Sequence, residues 1–206
     1  KTIQEIVSLL LEKYSRQVVW PALAEWRGWL GHWKKFPSCV GIIDATTHPI
    51  WRPSQRQAMF YRGDKKKHFM SSHIIVTPDG MIVHCSAAFP GHLNDTNGFN
   101  MMQRIGPQCA RDLPAGCHII SDNGYPPHPA LIKPKRRVQV NGNPRLQEIN
   151  RELTSCRIKV EHAIGFFKTY RCISERWRHP RAFLPIVIHC CASLSNRRLR
   201  FLQNTY

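Results

Sequence analysis

Between His68 and Phe89 two apolar, β-branched runs, HFMSSHIIV and MIVHCSAAF, flank the four residues TPDG. Pro78 pre-sets the backbone for the second position of a tight turn and Gly80 suits its exit, so the runs are expected to fold back as a β-hairpin. Two further segments have strand character. CVGIIDAT ends its β-branched run at Asp44, and AGCHIISDNGY ends at Asp122 before Asn123-Gly124. RRVQV, within the basic stretch KPKRRVQVNGNP, reads as a fifth strand.

Helical periodicity brackets and interrupts this strand-forming middle. TIQEIVSLLLEKY carries an apolar stripe at helical spacing, and VVWPALAEWRGWLGHWKKF holds four of the six tryptophans before a break at Phe36-Pro37. Residues 1–36 are therefore expected to form an N-terminal helical segment, either a piece of an upstream domain or a brace on the main one, residues 37–206. NDTNGFNMMQRI reads as a helix capped by Asn94 or Asp95, with Phe99, Met102 and Ile105 on one side. In NPRLQEINRELTSCRIKVEHAIGFFKTYRCI, Val160, Ile164 and Phe167 share one helical face, while Arg157, Glu161, Gly165 and Lys168 share another. RAFLPIVIHCCASLSNRRLRF closes the chain as an apolar helix broken early by Pro185.

At 206 residues and 42% hydrophobic, the chain has the means to bury one domain's core. Its formal charge of +17 and pI near 10.0 point to a polyanionic partner, nucleic acid first. A membrane partner is not expected, since there is no apolar run of about 18 residues and no signal-peptide pattern. Because it starts at Lys1 without Met, the chain is expected to be a fragment. The eight cysteines lack C-x-x-C or zinc-type spacing and mostly sit in apolar runs, so free thiols and a reducing compartment are expected. His48, His84, His92 and His118 also lack ligand spacing and read as packed or surface residues.

With 13 acidic residues in so basic a chain, each can be weighed singly. Asp44 and Asp122 end strands, Asp95 begins a helix, and Glu161 lies mid-helix. Each has a local role open to it: an Asx-type turn for Asp122, a turn for Asp44, an N-cap for Asp95, an ion pair with Arg157 for Glu161. Strand ends of an open α/β sheet nevertheless gather side chains at one edge, and a helix across the sheet can aim a carboxylate there. Carboxylates so gathered repel one another unless a divalent cation neutralises them. All-oxygen ligands suit Mg²⁺ or Mn²⁺, and two such ions about 3.5–4 Å apart support phosphodiester chemistry. The order strand Asp, hairpin, helix-start Asp, strand Asp, helix Glu is the ribonuclease H-like order, an α/β fold with a mixed sheet flanked by helices.

Five pieces in the same order resemble the PIF/Harbinger group of DDE-type transposases, the DDE superfamily endonucleases. They are FPSCVGIIDATTHPI, YRGDKKKHF running into HIIVTPDGMIV, FPGHLNDTNGF, ISDNGYPP and CRIKVEHAIGFFK, with 78 and 39 residues between the main acids. The resemblance implies a catalytic triad of Asp44, Asp122 and Glu161, with Asp95 as an added metal ligand, so that all four hold two Mg²⁺ or Mn²⁺ ions. It implies nicking of DNA at transposon ends and joining of the freed 3′-hydroxyl to target DNA. DATTHPI and GHLND depart from the family pattern and leave substrate positioning around Thr46, His48 and His92 open. Relatives commonly act as oligomers with a separate Myb-like DNA-binding partner, in the nucleus.

Two basic runs, Arg62 with Lys65, Lys66 and Lys67, and Lys133 with Lys135, Arg136 and Arg137, are expected to contact DNA phosphates. Arg157 and Lys168, flanking Glu161, join them. The competing reading is a domesticated relative that keeps the fold and basic surface as a DNA- or protein-binding module without chemistry. A third is a nuclease of the same fold acting on RNA.

Overall fold

A computed structural model describes residues 2–205, with the side chain of Arg137 outside the described part. In chain order the elements are α1 (Ile3–Tyr14), α2 (Leu23–Gly28), β1 (Cys39–Pro49), α3 (Gln57–Phe60), β2 (Tyr61–Arg62), β3 (Lys67–Val76), β4 (Ile82–Cys85), β5 (Phe89–Pro90) and α4 (Asp95–Asn100). There follow β6 (Ile105–Gly106), β7 (Arg111–Asp112), β8 (His118–Ile120), β9 (Leu131–Ile132), α5 (Arg137–Val140), α6 (Pro144–Phe167), α7 (Arg171–Ser174) and α8 (Leu184–Gln203).

The main sheet runs β2-β3-β1-β8-β9, with β4 and β5 also pairing with β3. β1 is antiparallel to β3 on one side and parallel to β8 on the other. The sheet is therefore mixed, and with helices against it the fold is the expected mixed α/β class. The hairpin turns at TPDG, where the Gly80 N–H donates to the Thr77 carbonyl at 2.9 Å and Gly80 adopts a φ of 86°.

Alternation along the strands sends successive side chains to opposite faces. Ile42, Ile74 and Ile120 join Leu153, Val160 and Phe167 of α6 and Leu184, Val187 and Ile188 of α8 in one core. Ile43, Ile75 and Ile119 face the other way, onto Trp26, Leu113 and Tyr125. Trp26, fully buried, is delivered by α2, and its ring lies 3.4 Å from where a side chain on Gly41 would begin. Trp20 donates its indole N–H to the Asp112 carbonyl at 2.6 Å. α1 opens with a capping box, Thr2 and Glu5 each bonding the other's backbone N–H, and packs against α8. The N-terminal segment thus braces both faces.

Four expectations change. NDTNGFNMMQRI is helical only over Asp95–Asn100, and Ile105 lies in β6. β1 continues five residues beyond Asp44, because β3 is long enough to pair with it from Ile42 to Pro49. RRVQV is helical rather than a strand, α5 spanning its last four residues; the edge strand is instead β9, which pairs with β8. Pro185 begins α8 rather than breaking it, a position where a missing N–H costs nothing. All eight cysteines are free thiols. No helix among the described residues is long and apolar enough to cross a membrane.

Three histidines are buried in this framework. His48 lies between the Ile173 carbonyl (Nδ1 at 3.0 Å) and the Ser72 hydroxyl (Nε2 at 2.9 Å), which suits a neutral ring donating to the first and accepting from the second. Burial drives the values of His48, His73 and His84 down to about 3, 4 and 3. Below an unfolded value of about 6.5, the unfolded chain binds protons that these native rings refuse. Stability is therefore full above that pH and falls as pH drops towards the native values. Urea titrations should show the unfolding free energy dropping between pH 7 and pH 5, at up to about 1.4 kcal/mol per pH unit for each ring. A flat profile over that range would show that the rings are not held neutral.

Candidate active site

The parallel register of β1 and β8 builds the site. Ile42 stands beside Ile120, where β8 ends. Two residues further on each chain come Asp44 and Asp122, in the same row; Asp44 shares the parity of Ile42 and faces α6, where Arg157 meets it, and Asp122 lies near enough for its charge to act on Asp44. β1 continues because β3 supports it, Asp44 standing opposite Ile74, whereas the chain after β8 turns away at Asn123-Gly124.

That turn is an Asx turn and something more. Asp122 Oδ1 accepts the Gly124 N–H at 2.8 Å. A Cβ on Gly124 would stand 2.9 Å from Asp95 Oδ2 and 3.1 Å from Asp122 Oδ1. The two carboxylates therefore converge across a backbone with no side chain. Asn94 caps α4 by accepting the Asn97 N–H at 2.9 Å, which leaves Asp95 free to face the turn. Thr96 donates to the Gly124 carbonyl at 2.7 Å and ties helix to turn.

Burial pushes the Asp44 carboxyl above its ordinary range, and the negative charge of Asp122 adds to this. Arg157, whose Nη2 lies 3.0 Å from Asp44 Oδ2, opposes the rise without cancelling it, as does the Ala45 N–H at 2.8 Å. Asp95 is raised by burial first, then by Asp122 and Asp44, against weaker relief from Arg62 and Arg157. The buried phenol of Tyr125 is held well above its usual value by burial and then by all three aspartates. Its hydroxyl pairs with His73 Nδ1 at 2.7 Å. Asp44, Asp95 and Asp122 thus share one field.

Glu161 does not join them. It is exposed on α6 and is not among the leading charges acting on Asp44 or Asp95. Arg157, four residues earlier, takes the inward place and bonds Asp44 rather than Glu161; its buried Nε has no partner. Among the described residues, no three His, Cys, Asp or Glu side chains stand at the spacing to hold a metal ion. The chemistry of the donor set still fits a hard divalent cation, being all carboxylate oxygen, short of positive charge and converging across the bare Gly124.

The basic residues divide. Lys168 is half-buried, donates to the Thr47 carbonyl, and is pulled down to about 8 by burial and by Lys65. Lys133 also turns inward, donating to the Tyr125 carbonyl at 2.6 Å, so it braces the turn. Arg62 is chelated by Asp64 at 3.1 and 3.2 Å. Lys65, Lys66, Lys67, Lys135 and Arg136 are exposed, and the side chain of Arg137 lies outside the described part. Thr46 and His48 are buried and unavailable to a substrate, whereas His92 is exposed with its ring against the Met59 carbonyl. Sequence reasoning passed over Tyr125, and at Gly124 it read the turn but not the close approach of Asp95. Their signal was their place directly after a strand-end acid.

Compared with known proteins, residues 43–196 match the family model described as DDE superfamily endonuclease, a span containing all four acids. Over 155 residues the chain is 25% identical to a probable transposase for insertion sequence element IS702 from Microchaete diplosiphon. That alignment covers 70% of this chain and 52% of the relative, so the chain spans about half the relative's length. No solved structure matches the chain.

A carboxylate raised in the fold contributes stability that is lost as pH rises through its native value, so at pH 7 the charge on Asp95 opposes folding. Asp95→Asn should raise Tm by up to a few degrees at pH 7 with a chelator present. Added Mg²⁺ or Mn²⁺ should raise the Tm of the wild type more than that of the variant. A lower Tm for Asp95→Asn with equal metal shifts would dissolve the cluster as drawn.

Proposed function

The chain belongs to the DDE superfamily endonuclease family, and from that premise we propose that it is the metal-dependent nuclease of a PIF/Harbinger-type transposase. It hydrolyses phosphodiester bonds at the ends of a mobile DNA element and joins the freed 3′-hydroxyls to target DNA. The observation that carries this reading is the convergence of Asp95 and Asp122 across Gly124, with Asp44 in the same row as Asp122 and paired to Arg157. Such a set is costly to keep in a fold that has no use for it.

Asp44, Asp95 and Asp122 would hold the metal, with Glu161 reaching it by turning in from the exposed face of α6. When bound, two Mg²⁺ or Mn²⁺ ions supply activation of the attacking oxygen and neutralisation of the leaving one. The chain's own residues do the positioning. Arg157 neutralises Asp44 until a stronger positive charge arrives, and is then free for a phosphate. Arg62, whose charge already bears on Asp95, would turn from Asp64 to a DNA backbone. Tyr125, kept protonated and bonded to a neutral His73, holds the Asp122 turn in place. Lys65, Lys66, Lys67, Lys135 and Arg136 contribute charge-only contacts that orient DNA without reading it.

The family resemblance adds a Myb-like DNA-binding partner, assembly into a homo-oligomer, and work in the nucleus. A second reading is favoured by one observation: Glu161 is exposed while Arg157 occupies Asp44. A domesticated module that binds DNA or protein without cutting would keep that arrangement.

The test uses purified protein, Mg²⁺ or Mn²⁺, the Myb-like partner and a duplex bearing the element's end. Wild type should nick and transfer strands, and Asp122→Ala should lose activity by roughly 10³-fold or more while duplex affinity changes by less than about twofold. Cleavage surviving in Asp122→Ala would remove that residue from the chemistry. Tight binding without cleavage by the wild type would establish the module instead.

A further inference from the structure

Just beyond the end of β1 an exposed tryptophan is held among cations. Ile50 makes a single parallel bridge to Trp177, locked by the Trp177 N–H on the Pro49 carbonyl at 2.9 Å and the Trp51 N–H on the Trp177 carbonyl at 3.3 Å. Trp177 is buried, so its neighbours Arg176 and Arg178 both project outward. Their guanidinium carbons lie 5.2 and 5.9 Å from the centre of the Trp51 ring. Trp51 remains 50% exposed. It borders a cavity of about 190 Å³ whose other lining includes Arg52, Lys66, Lys67, His68 and Arg176, and no carboxylate. The nearest acid in sequence, Glu175, is already paired with Arg171 at 3.2 Å.

A half-exposed indole ringed by cations excludes a basic partner and suits a polyanion that carries flat, apolar faces. Duplex DNA offers its backbone to the cations but keeps its base faces stacked, so an indole can be used only by a base that has left the stack. We propose that Trp51, with Arg176 and Arg178, is a stacking platform for an unpaired base of single-stranded DNA, the strand's phosphates lying along Arg52, Lys66 and Lys67. The guanidiniums hold the ring in place and extend the stack.

The position makes sense of the platform. Trp51 lies seven residues beyond Asp44 on nearly continuous extended chain, roughly 20 Å away, or about six nucleotide steps along a stacked strand. The β2–β3 hairpin that supplies Lys66 and Lys67 also carries Arg62, paired with Lys67 in register, whose charge bears on Asp95. A DNA end engaged at the acids would therefore lead an unpaired flank over the lysines to Trp51. This deepens, and rests on, the DNA reading given above.

The test measures binding of the full chain to a fluorescein-labelled single strand, the matching duplex and the matching single-stranded RNA, at low salt with a chelator so that nothing is cut. A second single strand carries 2-aminopurine. Trp51→Ala should weaken single-strand binding about 5- to 150-fold, leave duplex binding within about twofold, and abolish the 2-aminopurine quenching seen with wild type. Trp51→Phe should keep most of the affinity, and Arg176→Gln with Arg178→Gln should lose it, so the outcome does not hang on one variant's folding. Unchanged single-strand affinity and quenching in Trp51→Ala, with duplex binding intact, would overturn the platform and leave the DNA reading standing. Failure of the wild type to bind any DNA would overturn both, and tighter binding of the RNA strand would overturn the assignment to DNA.

Discussion

Three carboxylates that repel one another are kept within each other's field, and much of the surrounding architecture serves to hold them there. The β1–β8 register puts Asp44 and Asp122 in one row. The Asx turn and the missing side chain at Gly124 let Asp95 approach Asp122. Asn94 takes over the capping of α4, and Thr96 pins that helix to the turn. Among the described residues Arg157 is the one cation paired directly with these acids, and burial keeps Asp44 and Asp95 raised despite it. Without the long antiparallel support of β3, the strand bearing Asp44 would end where its parallel partner ends, and the row would not form.

The positive surface is not uniform in its work. Lys133 and Lys168 give their ammonium groups to backbone carbonyls, so part of the high charge is structural. Lys66 and Lys67 of the β2–β3 hairpin gather with Arg176 around a cavity beside Trp51, and Arg176 and Arg178 both stand against its ring. The net charge of +17 says only that a polyanion is the natural partner. Which cations are free to meet it is a matter of what each side chain already touches.

The hairpin was readable because Pro78 and Gly80 dictate local geometry whatever surrounds them. The helical face of Val160, Ile164 and Phe167 was readable because burial needs that spacing. RRVQV was misread because a short β-branched run does not reveal whether a sheet edge is available to it; β9 had already taken the place beside β8. The extent of β1 past Asp44 was invisible for a related reason. Thr46, Thr47 and His48 look like a turn until Ser72, Ser71 and Met70 are seen opposite them.

Sequence alone determined the order of the acids, the strong positive charge, the turn after Asp122 and the class of fold, because all of these follow from residue type and near-neighbour spacing. Tertiary structure decided which acids meet. Arg157, Glu161 and Lys168 share a helical face, yet the rotation of α6 about its axis, set by burying Leu153, Val160 and Phe167, turns Arg157 and Lys168 inward and leaves Glu161 outside. The pairing of Trp51 with Arg176 and Arg178, more than a hundred residues apart in the chain, likewise exists only because a single backbone bridge brings the two segments together. Such long-range neighbours have no local signal, since their contact is a property of the closed core and not of either segment.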